Sequence, residues 1–542
     1  MSTRPLTGAP PGGAAEQYAE LTFDRMPSVV PRGLPAEPPP WVRATGGYAY
    51  EWIRPLPGSA ADPLVDWSAA SPAAPPAPSG PGGSRRESGA PLDLRALSGL
   101  LALGAGVTCV EFGPQSSWPR HRIAPSARCV FPCSVRVVGR GPGGAEPDVA
   151  HYHPEHHQLR GRVPFRHRRW TSVDCVVTAA PGTTGAHYGD YAYRLVCQEA
   201  GLLLGSLLLA ARTLGLRAEA VPWCPDEMDR LLSLDGRCEC SMAMVRLSGS
   251  VTGVTFPGPD VQGPRVRRPC EPVEDLGALS AAAHREFART RPRAVSSGAA
   301  SGTPDASVGG PPAGPPDTAG ARSPDTADGP PAGHPPAAAG PVPVRLPWRR
   351  VGAARDSGDP GFIPSPLPIA ADALERLCSA ALTTAFPALW HGLPPVALLV
   401  ARRNVPGADH GLFRYDGTAP APARRLLPGT AVTPFLRGCQ MVASTNGHQA
   451  PATVFITVDL DRWLRHDAAR AYADLHLRSG EAAQRLLMAA SAEGLIARIH
   501  NGFLTGPLRE ACGPGRWIAP FAVLVSRRRP SARYRFVLDG GL

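Results

Sequence analysis

From Leu92 to Gly106 the chain reads LDLRALSGLLALGAG, with leucines recurring every three or four positions. That spacing predicts a helix with one buried face. Three strand-like runs follow: CVFPCSVRVVG (Cys129–Gly139), VAHYHPEHHQLRG (Val149–Gly161) and VDCVVTAAPG (Val173–Gly182). Next comes YRLVCQEAGLLLGSLLLAARTLGL (Tyr193–Leu216), a long helix of leucine and small residues, and then a strand in CECSMAMVRLSG. The order recurs further on. A helix in ALERLCSAALTTAF precedes a strand in PVALLVARR and a hairpin-like HGLFRYDGTAPAPARRLL. A strand in ATVFITVDL and a helix in GEAAQRLLMAASAEGL close the series. Helix, hairpin, strand and a small-residue helix ending in Gly-Leu are thus spelled twice. This is the pattern of a tandem repeat of roughly 200 residues, an ordinary domain size.

Composition fills in what lies between. The chain has 542 residues, 59 of them Gly and 65 Pro, enough length for two or three domains and long irregular connections. Residues 1–83 read as a Pro-rich extension, partly disordered or peptide-contacting. Residues 84–290 read as the first domain, 291–345 as a linker and 346–542 as the second domain. The linker is almost purely Pro, Gly, Ala, Ser, Thr and Asp, too poor in apolar area to offset the entropy of ordering.

The formal net charge is +11, and all 56 basic residues are arginine. They are diffuse, with no basic run interleaved with aromatics, so nucleic acid is not the expected partner. The 12 cysteines include no C-x-x-C pair and read as free, mostly buried thiols. The N-terminus lacks a signal-like apolar core, and the run Leu202–Ala211 is too short to span a bilayer. A cytoplasmic protein with no membrane partner is expected.

Four stretches carry candidate chemistry: RRES (Arg85–Ser88), RIAPSARCVFP (Arg122–Pro132), AHYHPEHHQLR (Ala150–Arg160) and the helix Tyr193–Leu216. In this order and spacing they resemble the nitroreductase superfamily of FMN enzymes. Within it they resemble most the azoline dehydrogenases, which form thiazoles and oxazoles in ribosomally made peptides such as thiopeptides. The resemblance implies an α+β nitroreductase-like fold and an FMN cofactor. It places cofactor contacts on Arg85, Arg86, Ser88, Arg122, Pro125, Ser126, Ala127 and Gly215. Arginine suits that role, because its fork binds phosphate and the electron-rich flavin edge in two-point fashion. Where the family has glycine after Pro-Ser-Ala, this chain has Arg128.

The family's catalytic Lys-Tyr pair falls on His187 and Tyr188. The chain has no lysine, and imidazole is a sensible replacement because it titrates near neutrality. The cluster His151, His153, His156 and His157 admits two readings. One is a metal pair on a strand face, the other a hairpin turn at Pro-Glu; the turn is preferred and no metal is expected. GRGPGG (Gly139–Gly144) lacks the Lys-Ser/Thr and the following helix of a phosphate loop, and no dinucleotide fingerprint appears. Reoxidation by oxygen is therefore the simpler expectation.

Family members are intertwined homodimers with flavin at the subunit interface, so two copies in one chain imply an intrachain pseudo-dimer, open to further dimerisation. The second copy lacks Pro-Ser-Ala and a Lys-Tyr equivalent, and reads Arg355-Asp356-Ser357 in place of Arg-Arg-Ser. At most one competent flavin site is expected. The implied partners are an azoline-containing precursor peptide and an ATP-dependent cyclodehydratase complex. Two alternatives stay open: a flavin oxidoreductase of small molecules, or a degenerate fold serving as scaffold or peptide-binding partner of a synthetase.

Overall fold

The computed structural model describes residues 13–26, 52–57, 64–66, 90–112, 120–221, 223–248, 253–257, 260–262, 276–290, 345–359, 362–383, 392–416, 423–442, 445–530 and 534–538. Of the twelve α-helices among the described residues, eight are labelled: α1 (Ala14–Asp24), α2 (Leu94–Ala105), α3 (Pro181–Tyr188), α4 (Ala192–Thr213), α5 (Ala278–Ala288), α6 (Trp348–Ala354), α7 (Ala371–Leu382) and α8 (Ala468–Ala492). The strands of the first half are β1 (Trp52–Pro55), β2 (Val107–Phe112), β3 (Arg120–Arg122), β4 (Cys133–Arg140), β5 (Asp148–His153), β6 (Gln158–Gly161), β7 (Ser172–Ala179), β8 (Arg217–Ala220), β9 (Cys240–Ser248) and β10 (Val261–Gln262). Those of the second are β11 (Ala397–Arg402), β12 (Gly411–Asp416), β13 (Arg424–Pro428), β14 (Ala452–Asp459), β15 (Leu495–His500), β16 (Trp517–Arg527) and β17 (Tyr534–Val537).

The first half builds an eight-stranded sheet in the order β8-β9-β7-β4-β5-β6-β1-β10. The second builds a six-stranded sheet whose order, from the other end, is β15-β16-β14-β11-β12-β13. The six strands of the second match the first six of the larger sheet in order, each set with its long helix inserted after the third strand of the list: α4 follows β7, and α8 follows β14. All pairings within both sheets are antiparallel. The repeat expected from the hydrophobic pattern is thus a repeat of topology. Residues 1–292 and 343–542 belong to one compact unit; the linker stretch 291–344 lies outside the described residues.

Each element has a local reason to start or stop. The Asp93 carboxylate accepts from Ala96 N–H at 2.8 Å and caps α2. Asp467 does the same for α8 through Arg470 N–H at 3.3 Å. Pro181 opens α3 at its first turn, and Gly215, at φ +69°, closes α4 in the left-handed region that suits glycine. The β5–β6 hairpin turns at residues 154–157, where the histidine cluster lies. His157 holds that turn from inside, with Nε2 2.7 Å from Ser98 Oγ and Nδ1 2.9 Å from Tyr152 Oη. Among the described residues no group of three or more His, Cys, Asp or Glu side chains is placed to hold a metal.

Every residue of α4 from Ala192 to Ala211 is buried, and so is every residue of α8 from Arg470 to Ser491. A helix buried all round must be packed by other protein on every side. The stretch Pro181–Thr213 is long and apolar enough to cross a membrane, more than Leu202–Ala211 alone suggested, yet its apolar window is wholly buried inside the protein. Ten cysteines are free thiols. Cys238 is disulfide-bonded.

Glycine sets how α4 meets α8. A Cβ built on Gly201 would stand 2.6 Å from the His476 carbonyl oxygen and 2.8 Å from that of Leu477. One built on Gly480 would stand 2.6 Å from the Gly201 carbonyl carbon. The helices therefore touch backbone to backbone. Charged groups on the two helices find partners: Glu481 accepts from Arg478 at 2.9 Å and from Arg485 at 2.8 Å, and Arg194 donates to the Thr22 carbonyl at 2.6 Å. Gly201→Ala and Gly480→Ala should each lower stability by about 1–3 kcal/mol, the cost of overpacking a tight core. Gly506→Ala, with nothing within 4 Å of the added carbon, should leave thermal unfolding unchanged. Parental unfolding temperatures in the first two variants would contradict the close contact.

Candidate functional site

A cavity of ≈ 530 Å³ opens between the two halves beside the start of α4. That volume lies in the range of about 300–1,000 Å³ common for small-molecule and cofactor sites. One wall is the loop from Pro125 to Phe131. The Glu199 carboxylate reaches from α4 to accept from Ala127 N–H at 2.8 Å, and Ser126 Oγ accepts from Phe131 N–H at 2.8 Å. Between these ties Arg128, Cys129 and Phe131 all adopt φ +53°. Non-glycine residues pay for that left-handed geometry, and such strain gathers where a loop must present itself to a ligand. The position where the resemblance implied glycine thus keeps a glycine-like conformation with an arginine in it.

The opposite wall comes from the second half. Arg355, Asp356 and Ser357, just after α6, line the cavity together with Arg498 from β15 and Arg535 from β17. Arg355 donates to the Arg122 carbonyl at 3.1 Å, while its buried Nε has no hydrogen-bond partner. Arg535 is held by Glu111 at 2.9 Å and Asp356 at 2.8 Å. Arg498 donates to the Asp359 carbonyl at 2.7 Å. Arg128 stands over the Tyr188 ring, 5.9 Å from its centroid. Arg128, Arg355, Arg498 and Arg535 share this lining with the carboxyl groups of Glu111, Asp356 and Glu199, and Glu199 is a weak acid here. Burial raises its carboxyl from about 4.5 to about 8, against the opposing pull of Ala127 N–H, Ser126 and Arg122.

The structure brings some of the sequence-predicted residues together and parts others. Pro125, Ser126, Ala127 and Tyr188 line the cavity. The Arg122 side chain lies instead in an adjoining cavity of ≈ 40 Å³, 3.5 Å from Glu155. His187 is not among the lining residues. It is buried with neither ring nitrogen hydrogen-bonded, and burial, then Arg128, pushes its imidazole below the usual range. Burial pushes the Tyr188 hydroxyl up, with Arg128 opposing. Gly215 sits at the far end of α4, about 24 Å along the axis from Glu199, where its carbonyl accepts from Ala90 N–H at 2.9 Å. Arg85, Arg86 and Ser88 lie outside the described residues. Four lining groups were not anticipated as contributors: Glu199, Arg355, Arg498 and Arg535. The available signal for Glu199 was a carboxylate inside an otherwise apolar helix.

The overall architecture is a nitroreductase-like fold. A protein from Anabaena variabilis described as a nitroreductase superposes with a TM-score of 0.60 at 18% identity, over 96% of this chain and 100% of its own. At that identity the likeness speaks for the fold. Residues 365–513 match the sequence model described as the Nitroreductase family. They lie in the half whose motifs looked sparse. A chain of the E. coli microcin synthetase McbBCD complex, solved with truncated pro-MccB17 bound, overlaps 30% of this chain and 65% of its own at 18% identity, with a TM-score of 0.23. A Ralstonia eutropha protein described as a nitroreductase overlaps 39% of this chain and 99% of its own at 20% identity, with a TM-score of 0.23. No curated protein matches the chain in sequence.

The shift at Glu199 fixes the sign of a pH effect. A carboxyl whose folded pKa is raised gives stability that is whole below about pH 4.5 and is lost as pH rises through about 8. Glu199→Gln keeps an acceptor for Ala127 N–H and removes the buried charge. Relative to the parent it should gain stability from about pH 5 upward, levelling above pH 8 at roughly 2–5 kcal/mol. Thermal unfolding across that range checks this; a difference that does not change with pH would contradict the burial of an ionisable Glu199.

Proposed function

We propose that this protein is an FMN-dependent oxidoreductase that oxidises thiazolines or oxazolines of a ribosomally made peptide to thiazoles or oxazoles. In this reading the two halves stand to each other as the subunits of an intertwined dimer. Their matched strand orders support it, as does the backbone contact of α4 and α8. The cofactor's place is the cavity between them. The observation that carries this is the joint wall: the Pro125–Phe131 loop of one half facing Arg355, Arg498 and Arg535 of the other. The orphaned Nε of Arg355 and the net positive lining fit a group with a phosphate dianion and an electron-rich ring edge.

Arg355 and Ser357 would hold the anionic part of the cofactor together with Arg498, while Ala127 and the strained loop would lie against its ring system. FMN, when bound, accepts the hydride that leaves the azoline ring. The remaining work belongs to the chain. Arg128 and the Tyr188 ring frame the space beside the loop and would orient the heterocycle. Phe521 and Leu202, also on the lining, exclude water from the ring face. His187 and Tyr188 stand where the resemblance places a catalytic pair, with Tyr188 on the cavity lining and His187 outside it. The substrate class rests on the ordered sequence motifs and on Tyr188 standing at the cavity. The modified precursor peptide and an ATP-dependent cyclodehydratase would be the partners.

The purified protein should be yellow and release FMN on denaturation. Arg355→Ala should weaken FMN binding about 10–100-fold, as loss of a charged hydrogen bond does. A colourless protein that no added FMN can reconstitute would overturn the oxidoreductase reading in favour of a scaffold. Flavin binding without turnover of any thiazoline peptide would redirect it to another substrate.

A further inference from the structure

The large cavity and the small one share a wall, and Glu199 is part of both. On the large side it stands next to Gln198 and near Tyr188, beneath the strained loop. On the small side lie Arg122, His153 and Glu155. Glu155 is 3.5 Å from Arg122, 3.7 Å from the half-exposed Arg120 and 3.4 Å from His153 Nδ1. The His153 ring stacks on His156 at 4.8 Å. A buried carboxyl at a substrate-sized cavity, backed by a small, mainly apolar space edged by Arg122, His153 and Glu155, has the layout of a proton acceptor with an exit.

We infer that Glu199 is the proton acceptor of this site, taking the substrate's Cα proton and releasing it through the small cavity toward Glu155 and His153. The inference rests on the azoline-oxidising reading above. The Cα–H bond of the dihydro ring breaks and its proton goes to a Glu199 carboxylate oxygen. The electron pair left behind forms the new ring double bond, as a hydride departs from the neighbouring ring carbon to the flavin. Two hydrogens and two electrons leave the ring, which becomes aromatic. The charged and titratable groups around Glu199 are consistent with a carboxyl that can both take and give a proton near neutrality. Arg122 on β3 favours its charge, while Cys129, Cys133 on β4 and Tyr188 on α3 are neutral at that pH. Arg355, Asp356, Arg498 and His500 face it across the large cavity. Ala127 N–H and the Ser126 hydroxyl tie the carboxyl to the loop that walls the large cavity.

The test uses the full chain and Glu199→Gln, measured three ways. Flavin absorbance should be equal in the two proteins, and oxidation of a thiazoline peptide should fall by about 100-fold or more in the variant. The parent rate should rise with pH along a limb near Glu199's raised value, and that limb should vanish in the variant. Independently of flavin, the infrared difference between the cofactor-free parent and variant at about pH 6 should show one protonated-carboxyl stretch. Asp229, whose carboxyl burial raises to about 7, cancels in that difference. A flavin-loaded variant oxidising at the parental rate overturns the inference alone, and so does a missing carboxyl band. A parent that takes up no flavin overturns the functional reading beneath it, and this inference with it.

Discussion

Where α4 crosses α8, two backbones touch. Gly201 of α4 and Gly480 of α8 leave no room for even one methyl group between the helices. Each helix is buried on all sides because the other, with its sheet, covers the face its own half leaves bare. Neither half can bury its long helix alone, which ties the fold of one to the presence of the other. A glycine contact of this kind also fixes distance and register, since side chains give way and backbones do not.

The candidate site inherits its geometry from that contact. Glu199 lies two residues before Gly201, at the point where α4 emerges from the helix pair toward the cavity. Its carboxyl pins the Pro125–Phe131 loop, and Arg355 from the other half reaches the Arg122 carbonyl at the loop's base. β17, near the end of the chain, pairs with β2 of the first half and carries Arg535 onto Glu111. The cavity is therefore a property of both halves at once. Its positive lining comes mostly from the half whose motifs are sparse, and its strained loop from the half whose motifs are recognisable.

Much of the architecture was legible because it follows from periodicity. The leucine spacing of α2, the alternating strands and the two small-residue helices specify elements and their repeat without reference to any partner. The hairpin at the histidine cluster was legible too, since Pro154-Glu155 makes a turn whatever surrounds it. The site was legible only within one half. Pro125, Ser126, Ala127 and Tyr188 stand near one another in three dimensions and carry recognisable spacing. Arg355 and Ser357 are more than 220 residues beyond the Pro125–Ala127 loop along the chain, and nothing local to RDS says which loop it will face. Gly215 shows the converse: it belongs to a recognisable motif, yet its left-handed φ serves the end of α4, far from the cavity. Glu199 was concealed by its helix, where a single carboxylate among leucines reads as an exception until its partner, Ala127 N–H, is seen.

The most direct test of the account is a structure of the flavin-loaded protein. It should place the flavin between the Pro125–Ala127 loop and Arg355, with Glu199 and Tyr188 beside its ring and groups of both halves in contact. Flavin bound at the Gly215 end of α4, or held by one half alone, would contradict it.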